Sequence, residues 1–386
     1  MPIKRPLNTA LSGNEMYCLH QKGMEAGELV IGNSVWSMGF GGALSAGLKT
    51  LAGGEVHEVT QIIHDGRQAS FDRMCAWTDL GGAIGITGVT SELIQHGVGI
   101  EFLSVGSCVH RPGVDAEHLE FSTSADGQDL FCQLDAGYHP RHFAFGNVAY
   151  SIGIGGGIRG AFRSFARGEV HEYSEIFNKT RHLALERIKN DAKRYGANCV
   201  LGINTSIVPF GGMQEMLMIG TASTHDLYGQ HTFDDPVTSD LTCQEMWNLA
   251  QLGYMPRELV LGVSVYSLGI VGGFSAFFKS FSRGEINELT SLVYEARENA
   301  LHHINVDAER VGADDVVGIK TYVYELGGGM IEFMAIGTAI QKVDGIKTQS
   351  AQLPPQAVMH DKDTFFNAAE KSKARNLNDR DFSPTP

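Results

Sequence analysis

Three stretches of the chain repeat one another: GNSVWSMG at 32–39, GNVAYSIG at 146–153 and GVSVYSLG at 262–269. Each is followed at the same distance by a second anchor, GEVHE at 54–58, GEVHE at 168–172 and GEINE at 284–288. Each is preceded nine residues earlier by a glycine: Gly23, Gly137 and Gly253. A period of about 115 residues in a chain of 386 means one supersecondary unit used three times. The fold is therefore restricted to what one such unit can build.

Within a unit the pattern is readable. β-branched and aromatic residues dominate ELVIGNSVWS, HFAFGNVAYS and ELVLGVSVYS, which predicts a strand at the head of each copy. A glycine-rich segment with apolar residues follows, and then a long helix starting near the GE anchor. In the third copy Leu289, Leu292, Val293, Ala296, Ala300, Ile304, Ala308 and Val311 form a stripe at helical spacing. The helix ends at RYGAN and RVGAD, where Gly196 and Gly312 suit a left-handed cap. Two further strands, joined by glycine turns, close the unit. The expected class is α+β: three tandem β-α-β-β units, each a long helix on an antiparallel sheet. The units are placed at 15–110, 128–225 and 243–342, with the first, whose hairpin SELIQHGVG is looser, as a degenerate copy. The polar stretches 111–129 and 225–240 are expected as linkers, and 343–386 as a polar, mobile tail.

The helix-to-strand runs ALERIKNDAKRYGANCVLGINTSIV…MLMIGTA (184–222) and ALHHINVDAERVGADDVVGIKTYVY…FMAIGTA (300–339) carry a resemblance. Together with the FxxxFRSFxxGE-like segment they resemble the YbjQ family, whose label is heavy-metal binding. The resemblance spans roughly 28–110, 142–224 and 258–342, most of the chain. It implies a dodecin-subunit-like β-α-β-β fold and assembly into rings, commonly of five. Family members are usually single units, so three fused units depart from that pattern.

Charge and composition narrow the function. A net charge of −14 argues against bulk nucleic-acid binding. The N-terminus shows no apolar run of the signal-peptide kind, and no segment has the roughly 18 uninterrupted apolar residues of a membrane-spanning helix. Six dispersed cysteines without a CxxC pair read as free thiols in a reducing compartment, so a cytoplasmic location is expected.

Four motifs are candidates for function. GGGIRG at 155–160 fits a dinucleotide-binding glycine pattern, but the other copies break it. The EVHE anchors offer His57, Glu58, His171 and Glu172 as metal ligands, since imidazole and carboxylate suit zinc-like ions. Copy three has Asn287 at the histidine position, and acids at a helix start are explained by the helix dipole alone. No recurrent catalytic constellation stands out, so neither an enzyme nor a cofactor beyond a possible metal ion is expected. The Gly/Phe segments present Leu44 and Leu48, then Ile158, Phe162 and Phe165, then Phe274, Phe277, Phe278 and Phe281, beside basic residues. Such an amphipathic segment either closes an assembly or lies on a membrane surface. The expected role is a homo-oligomeric scaffold or binding module, a ring of five by resemblance. A membrane-surface or pore-like assembly and a heavy-metal-binding protein are the alternatives.

Overall fold

The computed structural model describes residues 7–37, 54–78, 81–96, 99–151, 168–210, 213–267, 287–327 and 330–354. Unit 1 comprises a short helix α1 (Gly13–Gln21), a long strand β1 (Glu25–Trp36), a two-residue strand β2 (Gly54–Glu55), a long helix α2 (His57–Thr78) and a hairpin of β3 (Gly85–His96) and β4 (Gly99–His110). A short strand β5 (Phe121–Ser122) leads into unit 2: α3 (Gly127–Asp135), β6 (His139–Ser151), β7 (Gly168–Glu169), α4 (His171–Arg194), β8 (Cys199–Phe210) and β9 (Met213–Thr224). A second short strand, β10 (Val237–Thr238), precedes unit 3: α5 (Cys243–Leu252), β11 (Tyr254–Ser267), α6 (Asn287–Arg310), β12 (Asp315–Gly327) and β13 (Met330–Lys342). The class is α+β, and unit 1 carries the full set of long elements, hairpin included. All three units and residues up to Pro354 belong to one compact body.

The long strands of each unit pair antiparallel, with the last strand of the hairpin in the middle. The sheet orders are β1-β4-β3-β5, β10-β8-β9-β6-β2 and β12-β13-β11-β7. The helical stripe behaves as the spacing predicts: Leu292, Ala296, Ala300, Ile304 and Ala308 are buried under the third sheet. The glycine of the first anchor has a packing reason. A β-carbon on Gly32, Gly146 or Gly262 would lie only 2.1, 2.3 or 2.1 Å from a carbonyl oxygen of the long helix, at Ser70, Ala184 or Ala300. Each helix thus lies directly on the backbone of its own first strand.

The sequence reading missed the short helices. Each has a side-chain N-cap, from Ser12, Asp126 and Thr242, and Ser12 and Thr242 form full capping boxes with Glu15 and Glu245. The three glycines nine residues before the anchor, Gly23, Gly137 and Gly253, stop these helices with φ of 70, 86 and 82°. The helices share one core through Cys18, Leu19, Leu130, Phe131, Cys132, Met246 and Trp247. The linkers at 111–129 and 225–240 are correspondingly structured, for they supply β5, β10 and the cap residue Asp126.

The tail is also corrected in part. Residues 343–354 pack on the core of the short helices through Ile346 and Leu353. Ser350 donates its backbone N–H and its hydroxyl to Asp135, at 3.0 and 2.7 Å. Asp135 is fully buried and also takes bonds from Lys22 and Trp247, so this strand of tail completes a buried carboxylate's shell. Residues from 355 onward lie outside the described part of the chain.

Candidate functional site

The feature that recurs and carries chemistry is the joint between units, made twice on one plan. The first component is a strand exchange. The GE anchor of unit 1 forms β2, which pairs with β6 of unit 2, Gly54 opposite Ser151 and Glu55 opposite Tyr150. The GE anchor of unit 2 forms β7, which pairs with β11 of unit 3, Glu169 opposite Tyr266 and Gly168 opposite Ser267. The next residue continues each ladder: Val56 N–H donates to Ala149 and Val170 N–H to Val265, both at 2.8 Å.

The second component is a buried ion pair. Arg67 of α2 reaches Glu215 of β9 with two bonds, at 3.0 and 2.6 Å, and also donates to Ser91. Arg181 of α4 reaches Glu332 of β13, its Nη2 lying 2.8 Å from both carboxylate oxygens. The side chains of Arg181 and Glu332 are fully buried, and those of Arg67 and Glu215 are 1% and 0% exposed. Arg181 also lies over the Tyr150 ring, 4.4 Å from its centroid. In each case the helix of one unit is clamped between its own sheet and that of the next.

The third component is the connecting strand. Val89 donates its N–H to Thr123 at 2.9 Å, and Ile203 to Ser239 at 2.8 Å, so the hairpin of one unit holds the segment leading into the next. That segment then reaches the following sheet: Ser122 accepts from Phe143 N–H and Thr238 from Leu259 N–H, both at 2.9 Å.

The expected metal ligands are not brought together. His57 and His171 are 76% and 81% exposed, each beside one glutamate of its own anchor, at 3.8 and 3.3 Å. Those partners are Glu55 and Glu169, which lie in the short strands rather than at the helix starts. Glu55 accepts from Arg187 at 2.6 Å and Glu169 from Asn299 at 3.0 Å, so both are part of the joints. Glu58 and Glu172 sit exposed in the first turns of α2 and α4, where the helix dipole favours them. Among the described residues no group of three or more His, Cys, Asp or Glu is arranged to hold an ion. Burial raises the Cys18 and Cys108 thiols to about 11, which disfavours the thiolate that metals need. The Gly/Phe residues Leu44, Leu48, Ile158, Phe162, Phe165, Phe274, Phe277, Phe278 and Phe281, and the GGGIRG stretch, lie outside the described residues. Among the described residues no helix is long and apolar enough to cross a membrane.

The first joint also buries a histidine. His142 of β6 stacks on Tyr195, with ring centroids 3.4 Å apart, and takes the edge of Phe71 from unit 1. Burial pushes its pKa down to about 3. The unfolded chain therefore holds more protons than the folded one below pH 6.5, and this residue costs stability as pH falls through that range. Asp191, raised by burial to about 6, acts in the opposite sense between its ordinary carboxylate range and that value. His142→Phe keeps the stack and removes one proton from the balance. It is expected to flatten the acid limb of the stability curve by about 1.4 kcal/mol per pH unit between pH 6 and 4. Urea melts of both chains across that range check it; parallel curves would contradict it.

The architecture is that of a tandem-repeat protein whose units are bolted together by exchanged strands and buried ion pairs. The profile of the YbjQ family, described as "Putative heavy-metal-binding", matches at residues 19–109, 139–226 and 255–343. These matches take in more than half of the chain, which therefore belongs to that family, in three copies. A Mycobacterium tuberculosis protein named as an encapsulin nanocompartment protein is 30% identical over 230 residues, covering 57% of this chain and 86% of that protein. A UPF0145 protein of Methanocella arvoryzae is 41% identical over 83 residues, 21% of this chain and 69% of its own length. Another, from Thermotoga maritima, is 38% identical over 78 residues, 20% and 74% respectively.

Proposed function

We propose that this protein is a self-assembling scaffold rather than an enzyme, its units serving as building blocks for a larger homo-oligomer. The observation that carries the reading is the outer face of the first sheet. On β6 the residues facing the preceding unit, Phe143, Phe145 and Ala149, are buried, and so are Leu259, Leu261, Val263 and Val265 on β11. On β1 the corresponding Ile31 and Val35 are 47% and 61% exposed. A face built to be covered, and covered twice within the chain, is exposed on unit 1. The name of the mycobacterial relative, which refers to a nanocompartment, supports an assembly role.

The metal-binding reading has the family description in its favour. Against it stand the solvent-directed histidines and the engagement of Glu55 and Glu169 in the joints. A closed ring of such chains contains units in multiples of three, and the ring of five chains that the resemblance implies would hold fifteen.

Mass photometry of the tag-free chain tests the proposal. A mass of two or more chains is expected at sub-micromolar concentration, and the double substitution Ile31→Glu with Val35→Glu is expected to shift it to one chain. A parent protein that runs as a single chain up to micromolar concentration would refute the assembly.

A further inference from the structure

We infer that copies of this chain join head to tail, unit 3 of one docking on unit 1 of the next, through a third instance of the joint made twice internally. This rests on the self-assembly reading and specifies its contacts. The ion pair comes first. Arg67 and Arg181 are each the eleventh residue of their long helix, and the eleventh residue of α6 is Arg297. Glu215 and Glu332 are each the third residue of the hairpin's second strand, and the third residue of β4 is Glu101. The chain thus holds a third arginine and a third glutamate in register, at opposite ends of the series. Arg297 is exposed where its two counterparts are buried. Glu101 is 20% exposed, and among the described residues it meets the surface groups His96 and Asn33, at 2.7 and 3.3 Å.

The apolar surfaces match in the same way. Ile319 and Val323 on β12 are 45% and 53% exposed. Their counterparts Val89 and Leu93 in unit 1 are 2% and 8% exposed, and Ile203 in unit 2 is 2% exposed. Tyr294 on α6, 64% exposed, occupies the place of His64 on α2. His64 packs on Phe145 with ring centroids 5.0 Å apart, and the unit 1 counterpart of Phe145 is the exposed Ile31. The unpaired apolar surface of unit 3 is therefore the complement of the unpaired apolar surface of unit 1.

The backbone supplies a third match. Among the described residues β12 is the edge of its sheet, whereas β3 and β8 carry the short parallel strands β5 and β10. The segment that would fill that edge is already poised on unit 1. Asn8 accepts from Leu29 N–H at 2.7 Å, Thr9 meets Ser107 at 3.4 Å, and Ser12 caps α1. These match, position for position, the contacts of Ser122, Thr123 and Asp126 to unit 2 and of Thr238, Ser239 and Thr242 to unit 3, with the Asn8 carbonyl accepting where Ser122 and Thr238 use their hydroxyls. Thr9 is then the acceptor for Ile319 N–H of the neighbouring copy, as Thr123 is for Val89 and Ser239 for Ile203. An ion pair, an apolar face and a strand edge, with donor and acceptor halves all on the correct ends, point to a second copy of the same chain.

Charge reversal tests the joint, because Arg297 is solvent-exposed and Glu101 lies at the surface of its unit. Arg297→Glu and Glu101→Arg are made separately in the full-length chain, and circular dichroism melts verify that each folds. Each alone is expected to lose assembly, the association constant falling on the order of a hundredfold or more. Mixed in equal amounts they are expected to reassemble, since both joints in the mixture again oppose unlike charges. Single variants that assemble like the parent would overturn the head-to-tail joint while leaving self-assembly standing. A mixture that stays at single-chain mass would overturn the Arg297–Glu101 pairing. A parent that never assembles would instead refute the underlying scaffold reading.

Discussion

Replacing Arg181 by methionine is expected to destabilise the chain by about 3–5 kcal/mol, since it strands the carboxylate of Glu332 in a dry interior. Glu332 is fully buried, and among the described residues its carboxylate oxygens take their side-chain bonds from the Arg181 guanidinium. The loss has two parts. The carboxylate must either stay charged without a cation or take up a proton, and Tyr150 and Phe177 lose the cation over their rings. A second change separates the pair from its desolvation cost. Arg181→Met with Glu332→Leu removes both charges and fills the space with apolar atoms beside Met216, which lies 3.8 Å from Arg181. Replacing a buried pair in this way is often neutral or better, so the double variant should recover most of the loss. Urea denaturation of the four chains gives the coupling. A double variant as unstable as the single would mean that the pair shapes the joint in a way apolar packing cannot.

Valine at Gly146 is expected to cost about 3 kcal/mol, at the upper end of ordinary overpacking, because both atoms in its way are backbone. The new β-carbon would sit 2.3 Å from the Ala184 carbonyl and 2.5 Å from the Ile188 nitrogen. A helix cannot yield at one residue, so α4 has to move as a body. On its far side α4 packs against β11, and Arg181 lies one turn before Ala184, so the displacement reaches the joint with unit 3. Gly13→Ala serves as the control, having no atom within 4 Å of the added carbon, and is expected to be near neutral. Equal melting midpoints for the two variants would show that α4 does not rest on the backbone of β6 as described.

The strength of the repeat explains which parts of this molecule could be read from its letters. Periodicity in the third helix identified the buried face of α6, where Leu292, Ala296, Ala300 and Ile304 lie. Gly196 and Gly312 adopt φ of +65°, as a glycine ending a helix suggests. The short helices were hidden because each is only nine or ten residues long and set among polar residues. Their signal was present in the caps, above all in Ser12-x-x-Glu15 and Thr242-x-x-Glu245. The joint was harder. An arginine on a mostly polar helix reads as a solvated face, and a glutamate inside a hydrophobic strand has no obvious partner without the neighbouring unit. Only the alignment of Arg67 with Arg181 and of Glu215 with Glu332 exposes the pairing, because the two members come from different copies of the repeat. Glu55 and Glu169 show the same effect. Read locally they are helix-start acids, but their partners, Arg187 and Asn299, belong to the following unit.

The central claim is that the chain's two ends carry the two halves of a joint it already makes twice. Cryo-electron microscopy of the native assembly tests it most directly. The account predicts that each contact between chains superposes on the internal joints, with the Arg297 guanidinium within about 4 Å of the Glu101 carboxylate of the next copy. Chains that meet through a two-fold contact, or an assembly in which Arg297 and Glu101 both face solvent, would contradict it.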